Sequence, residues 1–209
     1  MTFDAISHAL SANGLTIRAA LHEDGTTIVL LGPDEPAFWP KFAASPEYLD
    51  GAPDPLDRWS KRTLRKLAQS LDAEVVFPSD GPPYPPFFTW ALASGWVEQS
   101  PVGMLVHPYA GLFVSFRGAL IFDGILSLPS PPAHPCQTCI DKPCKTACPV
   151  GALRFDRYDT KTCRRYLDTD GGRSCMEQGC IARRACPISE TYPRDPAQSA
   201  FHMKAFHPT

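Results

Sequence analysis

All eight cysteines of the chain lie in one segment of about fifty residues, from Cys136 to Cys186. The residues before Cys136 contain no cysteine at all. A secreted protein stabilised by disulfides more often spreads its cysteines so that they link the whole chain. In a reducing compartment, thiolates crowded in this way are typical of metal or cluster ligation. The distribution therefore predicts a ligand-binding module in the last third of the chain.

The first half of this module has the pattern C-x2-C-x4-C-x3-C-P, made by Cys136, Cys139, Cys144, Cys148 and Pro149. It resembles the C-x2-C-x2-C-x3-C-P pattern of bacterial ferredoxins, with a second gap that is two residues longer. The longer gap is similar to that in the cluster-binding region of the glutamate synthase small subunit. The second half departs further from the ferredoxin spacing and supplies Cys163, Cys175, Cys180 and Cys186, the last followed by Pro187.

The resemblance implies two 4Fe–4S clusters and a definite set of ligands for each. A cubane needs four thiolates from tetrahedral directions, and a local turning loop supplies only three of them. In two-cluster ferredoxins the Cys-Pro cysteine of each half binds the cluster of the other half. By that pattern one cluster takes Cys136, Cys139, Cys144 and Cys186. The other takes Cys148, Cys163, Cys175 and Cys180.

Three other interpretations of the cysteines stay open at this point. Zinc would fill two four-thiolate sites, disulfides would pair the thiols, and a degenerate module would have lost one cluster. Residues 136–190 contain ten Lys/Arg and seven Asp/Glu, a net charge of +3. This charge would offset that of anionic clusters, although it also fits a solvated basic face or a docking site for an acidic redox partner. The nearby basic residues are Lys142, Lys145, Arg164, Arg165, Arg183 and Arg184.

The rest of the chain indicates an α+β fold with a largely antiparallel sheet. Asp24-Gly25 predicts a two-residue hairpin turn, and Asp54-Pro55 is a strong helix start. Residues 103–107 and 112–122 are predicted to be strands. We therefore expect an α+β domain at 1–127 and the two-cluster module at 128–190. Residues 191–209 are polar and contain proline, and we expect them to form a surface tail.

Two stretches before the cysteines carry a second resemblance. Residues 101–122, with His107-Pro108, Gly111 and Arg117-Gly118, look like a segment of the cobalamin-processing (cblC-type) protein. Residues 54–80 are similar to the helix and strand that precede that segment. Epoxyqueuosine reductase and reductive dehalogenases have a similar domain arrangement, in which a nitroreductase-like, cobalamin-binding domain is joined to a C-terminal two-cluster module. Their Cys-x-x-Tyr-Leu segment is similar to residues 163–167 here.

This second resemblance implies a corrinoid-linked redox protein. His107 would lie at the corrin face, and Gly111 would allow close backbone approach to the macrocycle. Asp80 falls near the position at which epoxyqueuosine reductase has an acid that could donate a proton, so the resemblance makes Asp80 a candidate catalytic residue. Each residue also has a plain structural interpretation: His107 as a strand-end histidine, Asp80 as part of an ordinary turn and Arg117 as a charge on a sheet face.

The expected function is electron transfer through two 4Fe–4S clusters to a corrinoid or another acceptor at the N-terminal domain. The alternatives are a plain ferredoxin-type carrier whose N-terminal domain binds only a partner, and a zinc-stabilised interaction protein. The net charge of −2 gives no reason to expect nucleic acid as a partner. No apolar run approaches the roughly 18 residues of a membrane span, and we expect a cytoplasmic protein whose partners are redox donors and acceptors.

Overall fold

The computed structural model of the chain describes residues 1–208. Its helices are α1 Phe3–Ser11, α2 Phe38–Ala43, α3 Pro46–Leu49, α4 Pro55–Ser70, α5 Phe87–Ala93, α6 Pro135–Thr138, α7 Thr160–Leu167, α8 Arg173–Gln178, α9 Ile181–Arg184, α10 Pro187–Thr191 and α11 Pro196–Phe206. Its strands are β1 Leu15–Glu23, β2 Thr26–Pro33, β3 Glu74–Val76, β4 Glu98–Gln99, β5 Leu105–Val106 and β6 Gly118–Asp123. Short 3-10 helices cover Pro143–Lys145 and Asp170–Gly172.

The chain forms two compact units, neither of which is continuous in sequence. The first unit contains residues 1–96 and 115–132, and the second contains residues 97–114 and, of the described residues, 133–208. Residues 97–114 therefore group with the cysteine segment, whereas the sequence analysis placed them in an N-terminal domain ending at residue 127.

A four-stranded antiparallel sheet with the order β1-β2-β6-β3 forms the centre of the first unit. The predicted hairpin joins β1 to β2, with Asp24 and Gly25 at φ values of 46° and 79°. Positive φ at both central residues is the geometry of the turn that suits the twist of two antiparallel strands. The α+β class and the antiparallel sheet are thus confirmed.

Helix α4 begins where the sequence predicts it, with Pro55 in the first turn. Asp54 precedes it at φ 53° and forms no side-chain cap, so the start depends on proline and on the bond from the Arg58 amide to the Asp54 carbonyl (3.0 Å). The apolar side of α4 contributes Trp59, which packs edge-on against Phe38 with ring centroids 5.4 Å apart. This aromatic cluster belongs to the buried core of the first unit.

Two sequence predictions about secondary structure are wrong. The strand predicted at 112–122 exists only as β6, because residues 112–114 belong to the second unit, where Leu112 and Phe113 lie in a turn directly after the His107–Gly111 bridge. The polar tail expected after residue 190 contains helix α11, and Asp195 caps that helix by accepting from the Ala197 amide at 2.8 Å. Gln198 and Ser199 of α11 are buried, so this segment is part of the second unit's packing.

Among residues 1–208, no helix combines the length and the apolar character that a membrane crossing requires.

Candidate functional site

Four cysteines of the second unit line one cavity of about 460 Å³. They come from distant parts of the chain: Cys136 lies in α6, Cys144 in the 3-10 helix that follows, and Cys186 directly before α10. Cys139 completes the set at the end of α6. The rest of the lining includes the apolar residues Val106, Leu112, Ile140 and Ile188. The cavity therefore presents four sulfur donors in a largely apolar wall.

Proline positions three of these cysteines. Pro135, Pro143 and Pro187 each begin a short helix beside a cysteine of the cavity. Proline fixes φ near −65°, which suits the first turn of a helix and stiffens the chain there. The long gap between Cys139 and Cys144 turns through Lys142, whose φ of 43° lies in the left-handed region. The two additional residues of this gap are thus accommodated by a turn just before Cys144.

Burial and mutual charge raise the pKa values of these thiols. Burial, and then the charges of Glu98, Cys144 and Cys186, raise the pKa of Cys136 to about 12. Burial also raises the pKa of Cys144, with further contributions from Cys186 and Cys139. Several thiolates would repel one another here unless a metal ion or the cationic iron–sulfide core of a cluster neutralised them. The four cysteines are therefore suited to bind a metal ion or a metal cluster.

The other four cysteines form a second electrostatic group. Burial raises the pKa of Cys163, and the charges of Cys180, Cys148 and Cys175 raise it further. The pKa of Cys175 is also raised by burial, with contributions from Cys180 and Cys148. These neighbours are the set that the ferredoxin pattern assigns to one centre, and it includes Cys148 from the first half of the motif.

Hydrogen bonds already point at sulfur in this second group. The Ala152 amide donates to Cys148 Sγ at 3.4 Å, and the Tyr158 hydroxyl donates to Cys163 Sγ at 3.3 Å. Burial, together with the bond to Cys163, raises the pKa of Tyr158 well above its usual range, so the hydroxyl stays protonated and can donate. Such donors to ligand sulfurs are one of the means by which proteins set cluster potentials.

All eight cysteines are free thiols. Within residues 1–208, no three His, Cys, Asp or Glu side chains are grouped closely enough to hold a single metal ion. The four cysteines of the first set line one cavity, and within each set the charges of some cysteines raise the pKa values of others.

The predicted basic residues have different surroundings. Arg184 donates to the Gly179 carbonyl (3.1 Å) and the Ser174 hydroxyl (2.8 Å), and its charge lowers the pKa of Cys175. Arg164 bonds the Phe206 carbonyl at 3.0 Å and lies over the Phe206 ring, so it holds α11 to α7. Arg184 is thus placed to offset charge on the second set, whereas Arg164 has a packing role.

His107 and Gly111 belong to the second unit and form a tight turn. His107 is 1% exposed, and its Nδ1 accepts from the amides of Tyr109 and Ala110 at 3.1 and 3.2 Å. A Cβ on Gly111 would lie 2.6 Å from the Ser189 backbone nitrogen, so the missing side chain allows close approach of α10. Both residues therefore have structural roles in this turn.

Asp80 lies in the first unit, where it accepts from the Phe77 amide at 3.1 Å and pairs with Lys61 at 2.8 Å. Arg117 lies just before β6, 3.8 Å from Asp57. Burial lowers the pKa of this guanidinium, and the Asp57 carboxylate partly opposes that shift. The structure thus gives Asp80 a turn-stabilising contact within the first unit.

Sequence reasoning missed two polar neighbours of the cysteines. The Glu98 carboxylate accepts from the Cys136 amide at 3.1 Å and lies 3.9 Å from His134 Nδ1. Glu98 comes from the β4–β5 hairpin, and nothing in its local sequence indicated a long-range contact. Tyr158 was more accessible to prediction, because it lies directly before Asp159, the N-cap of the helix that carries Cys163.

The chain matches no family model, no curated protein and no solved structure in the comparisons made. The functional inference therefore depends on the geometry of the chain itself.

Proposed function

We propose that the chain is an electron-transfer protein that holds two 4Fe–4S clusters in its second unit. One cluster is held by Cys136, Cys139, Cys144 and Cys186. The other is held by Cys148, Cys163, Cys175 and Cys180. The observation that carries the proposal is the presence of Cys186 in the same cavity as the three cysteines of the first motif.

The size of the cavity supports a cluster over a single zinc ion. Zinc bonds thiolate sulfur at about 2.3 Å, so four thiolates around it lie within about 4 Å of one another. The cavity of about 460 Å³ that these cysteines line together with other residues has space for iron and bridging sulfide as well. The crossed use of Cys-Pro cysteines is also a property of two-cluster ferredoxins rather than of zinc ribbons.

The surroundings of the sulfurs suit bound clusters. A 4Fe–4S cluster supplies one-electron redox chemistry when bound. The chain contributes the thiolates, a largely apolar lining around the first set, and donors such as the Ala152 amide and the Tyr158 hydroxyl. Arg184 adds positive charge near the second set. Burial of Cys144, Cys175 and Cys186 would shield both centres from solvent.

The resemblance around His107 favours a corrinoid as the acceptor. The buried ring of His107 and the packing of Gly111 against Ser189 favour a second candidate, a plain electron carrier. In that case the first unit docks a protein partner and binds no cofactor.

An anaerobic reductive titration tests the proposal. The purified protein should show broad absorbance near 400 nm that bleaches on addition of dithionite, with uptake of about two electrons per chain. A protein that takes up no electrons would contradict it. Reoxidation by hydroxocobalamin, followed at the cobalamin bands, then separates the candidates. Saturable binding and reduction of cobalamin support the corrinoid acceptor, and no binding leaves the carrier.

A further inference from the structure

Ser100 lies in the hairpin that joins β4 to β5 and lines the cysteine cavity of the second unit. Its backbone groups are both used in this hairpin: the Ser100 amide donates to the Met104 carbonyl at 2.8 Å, and the Ser100 carbonyl accepts from the Gly103 amide at 2.9 Å. Gly103 has a φ of 78° and approaches the Phe155 carbonyl closely, which leaves no space for a side chain. The position of Ser100 is therefore fixed by the turn.

The hydroxyl of Ser100 is buried without a protein partner. The residue is 1% exposed, and its Oγ has no hydrogen-bond partner within residues 1–208. Ser189 provides a contrast, because its hydroxyl accepts from the Leu112 amide at 2.8 Å. Buried hydroxyls almost always have a partner, since leaving one unsatisfied costs stability. Ser100 also lines the cavity, so an occupant of the cavity is the candidate partner for this Oγ.

We propose that Ser100 donates a hydrogen bond to a sulfur of the cluster held by Cys136, Cys139, Cys144 and Cys186, and so raises its reduction potential. This inference rests on the proposed function. The reduced cluster carries one more negative charge than the oxidised cluster, so a donor to its sulfurs stabilises the reduced form more. Glu98, whose carboxylate lies beside Cys136, acts in the opposite direction. The potential of this cluster is thus set by a donor and a carboxylate from the same hairpin.

The test is a potentiometric titration of the cluster-loaded protein, followed by electron paramagnetic resonance. Ser100→Ala removes only the hydroxyl, and Ser100→Thr retains it. Ser60→Ala is the matched control, because Ser60 is equally buried in α4 of the first unit and its hydroxyl donates to the Leu56 carbonyl at 2.7 Å. The second cluster of the same molecule serves as an internal reference.

In Ser100→Ala we expect one of the two midpoint potentials to become more negative. At a fixed poise, the ratio of reduced to oxidised cluster should fall by about threefold to tenfold. Ser100→Thr should stay near the original value, and Ser60→Ala should change neither potential. Unchanged potentials in an iron-loaded Ser100→Ala protein would overturn the inference and leave the proposed function intact. A wild-type protein that binds no iron would overturn both.

Discussion

Cys136 and Cys186 lie at opposite ends of the cysteine segment and line the same cavity of the second unit. The charge of Cys186 contributes to raising the pKa of Cys136. Cys148, which is only four positions beyond Cys144, belongs instead to the group of Cys163, Cys175 and Cys180. Distance along the chain is therefore a poor guide to which thiols act together, and the Cys-Pro cysteine of each half is grouped with the other half.

The hydroxyl of Tyr158 can be removed with little change to its packing. Its ring stacks on Phe206 with centroids 5.9 Å apart, and phenylalanine would keep that contact. Tyr158→Phe removes the bond to Cys163 Sγ. We expect the cluster of the second set to become harder to reduce, with a threefold to tenfold fall, roughly, in the reduced-to-oxidised ratio. Redox titration checks this, and an unchanged potential for both clusters would count against a donor role.

A substitution at Glu98 should shift the potential of the other cluster, the one held by the first set, in the opposite direction. Glu98→Gln retains an acceptor for the Cys136 amide but removes the negative charge that raises the pKa of Cys136. A neutral neighbour disfavours the reduced cluster less than a carboxylate does, so we expect the potential of this cluster to rise. Protein-film voltammetry measures the change. A shift to a more negative potential would show that Glu98 acts on the cluster in some other way than through its charge.

Substitution of Gly111 distinguishes between two roles for this residue, close packing in its turn and contact with a corrin. Gly111→Ala combines a positive φ of 54° with a Cβ only 2.6 Å from the Ser189 backbone, and we expect it to destabilise the second unit by about 2 kcal/mol or more. Gly151→Ala is the matched control, because Gly151 has a similar φ of 59° with open space around it. It should cost only about 1 kcal/mol.

Urea unfolding followed by circular dichroism compares the two glycine variants. If Gly111→Ala were no less stable than Gly151→Ala but had lost the ability to bind cobalamin, the corrin contact would be favoured over the packing role.

Asp50 offers a pH test of the first unit. Two hydrogen bonds from Arg58, at 2.7 Å each, and one from the Ala52 amide lower the pKa of Asp50 to about 2. A lowered pKa means that the stabilising effect is present above the unfolded value of about 3.9 and is lost as the pH falls through about 2. In Arg58→Gln, the Asp50 pKa measured by carboxyl NMR should rise towards its usual range.

Arg62→Gln is the control for this titration, because Arg62 pairs with Glu47. The Arg62→Gln substitution should raise the Glu47 pKa and leave the Asp50 pKa at about 2. An Asp50 pKa that stayed low in Arg58→Gln would show that Arg58 is not the main cause of the lowered value.

Local signals in the sequence predicted much of the first unit. Asp24-Gly25 specifies a hairpin through its φ angles, and Pro55 specifies the start of a helix, because both effects depend on a few adjacent residues. The grouping of residues 97–114 with the cysteines could not be predicted in this way. It depends on long-range contacts such as that from Glu98 to Cys136, for which the hairpin sequence carries no signal.

The two missed features have different physical causes. The prediction of one strand at 112–122 rested on the many apolar residues there, although Ser115, Arg117 and Gly118 interrupt them. Apolar residues indicate burial and do not specify the backbone conformation. Helix α11 has the same Asp-Pro start as α4, but its apolar side chains are spread around the helix and give little periodicity. The start signal alone would have located it. The cysteines of the site were all identifiable, whereas Ser100 and Glu98 were visible only in the fold.

The measurement that tests the central claim most directly is the iron, sulfide and zinc content of three anaerobically purified proteins. The wild-type chain should contain about eight irons and eight sulfides, Cys136→Ser/Cys186→Ser about four irons, and Cys180→Ser/Cys186→Ser almost none. Cys136 and Cys186 are both ligands of the first cluster in this proposal, whereas Cys180 and Cys186 are ligands of different clusters. If each half of the motif bound its own cluster, the two double variants would exchange their iron contents. About two zinc ions and no iron in the wild-type chain would contradict the account altogether.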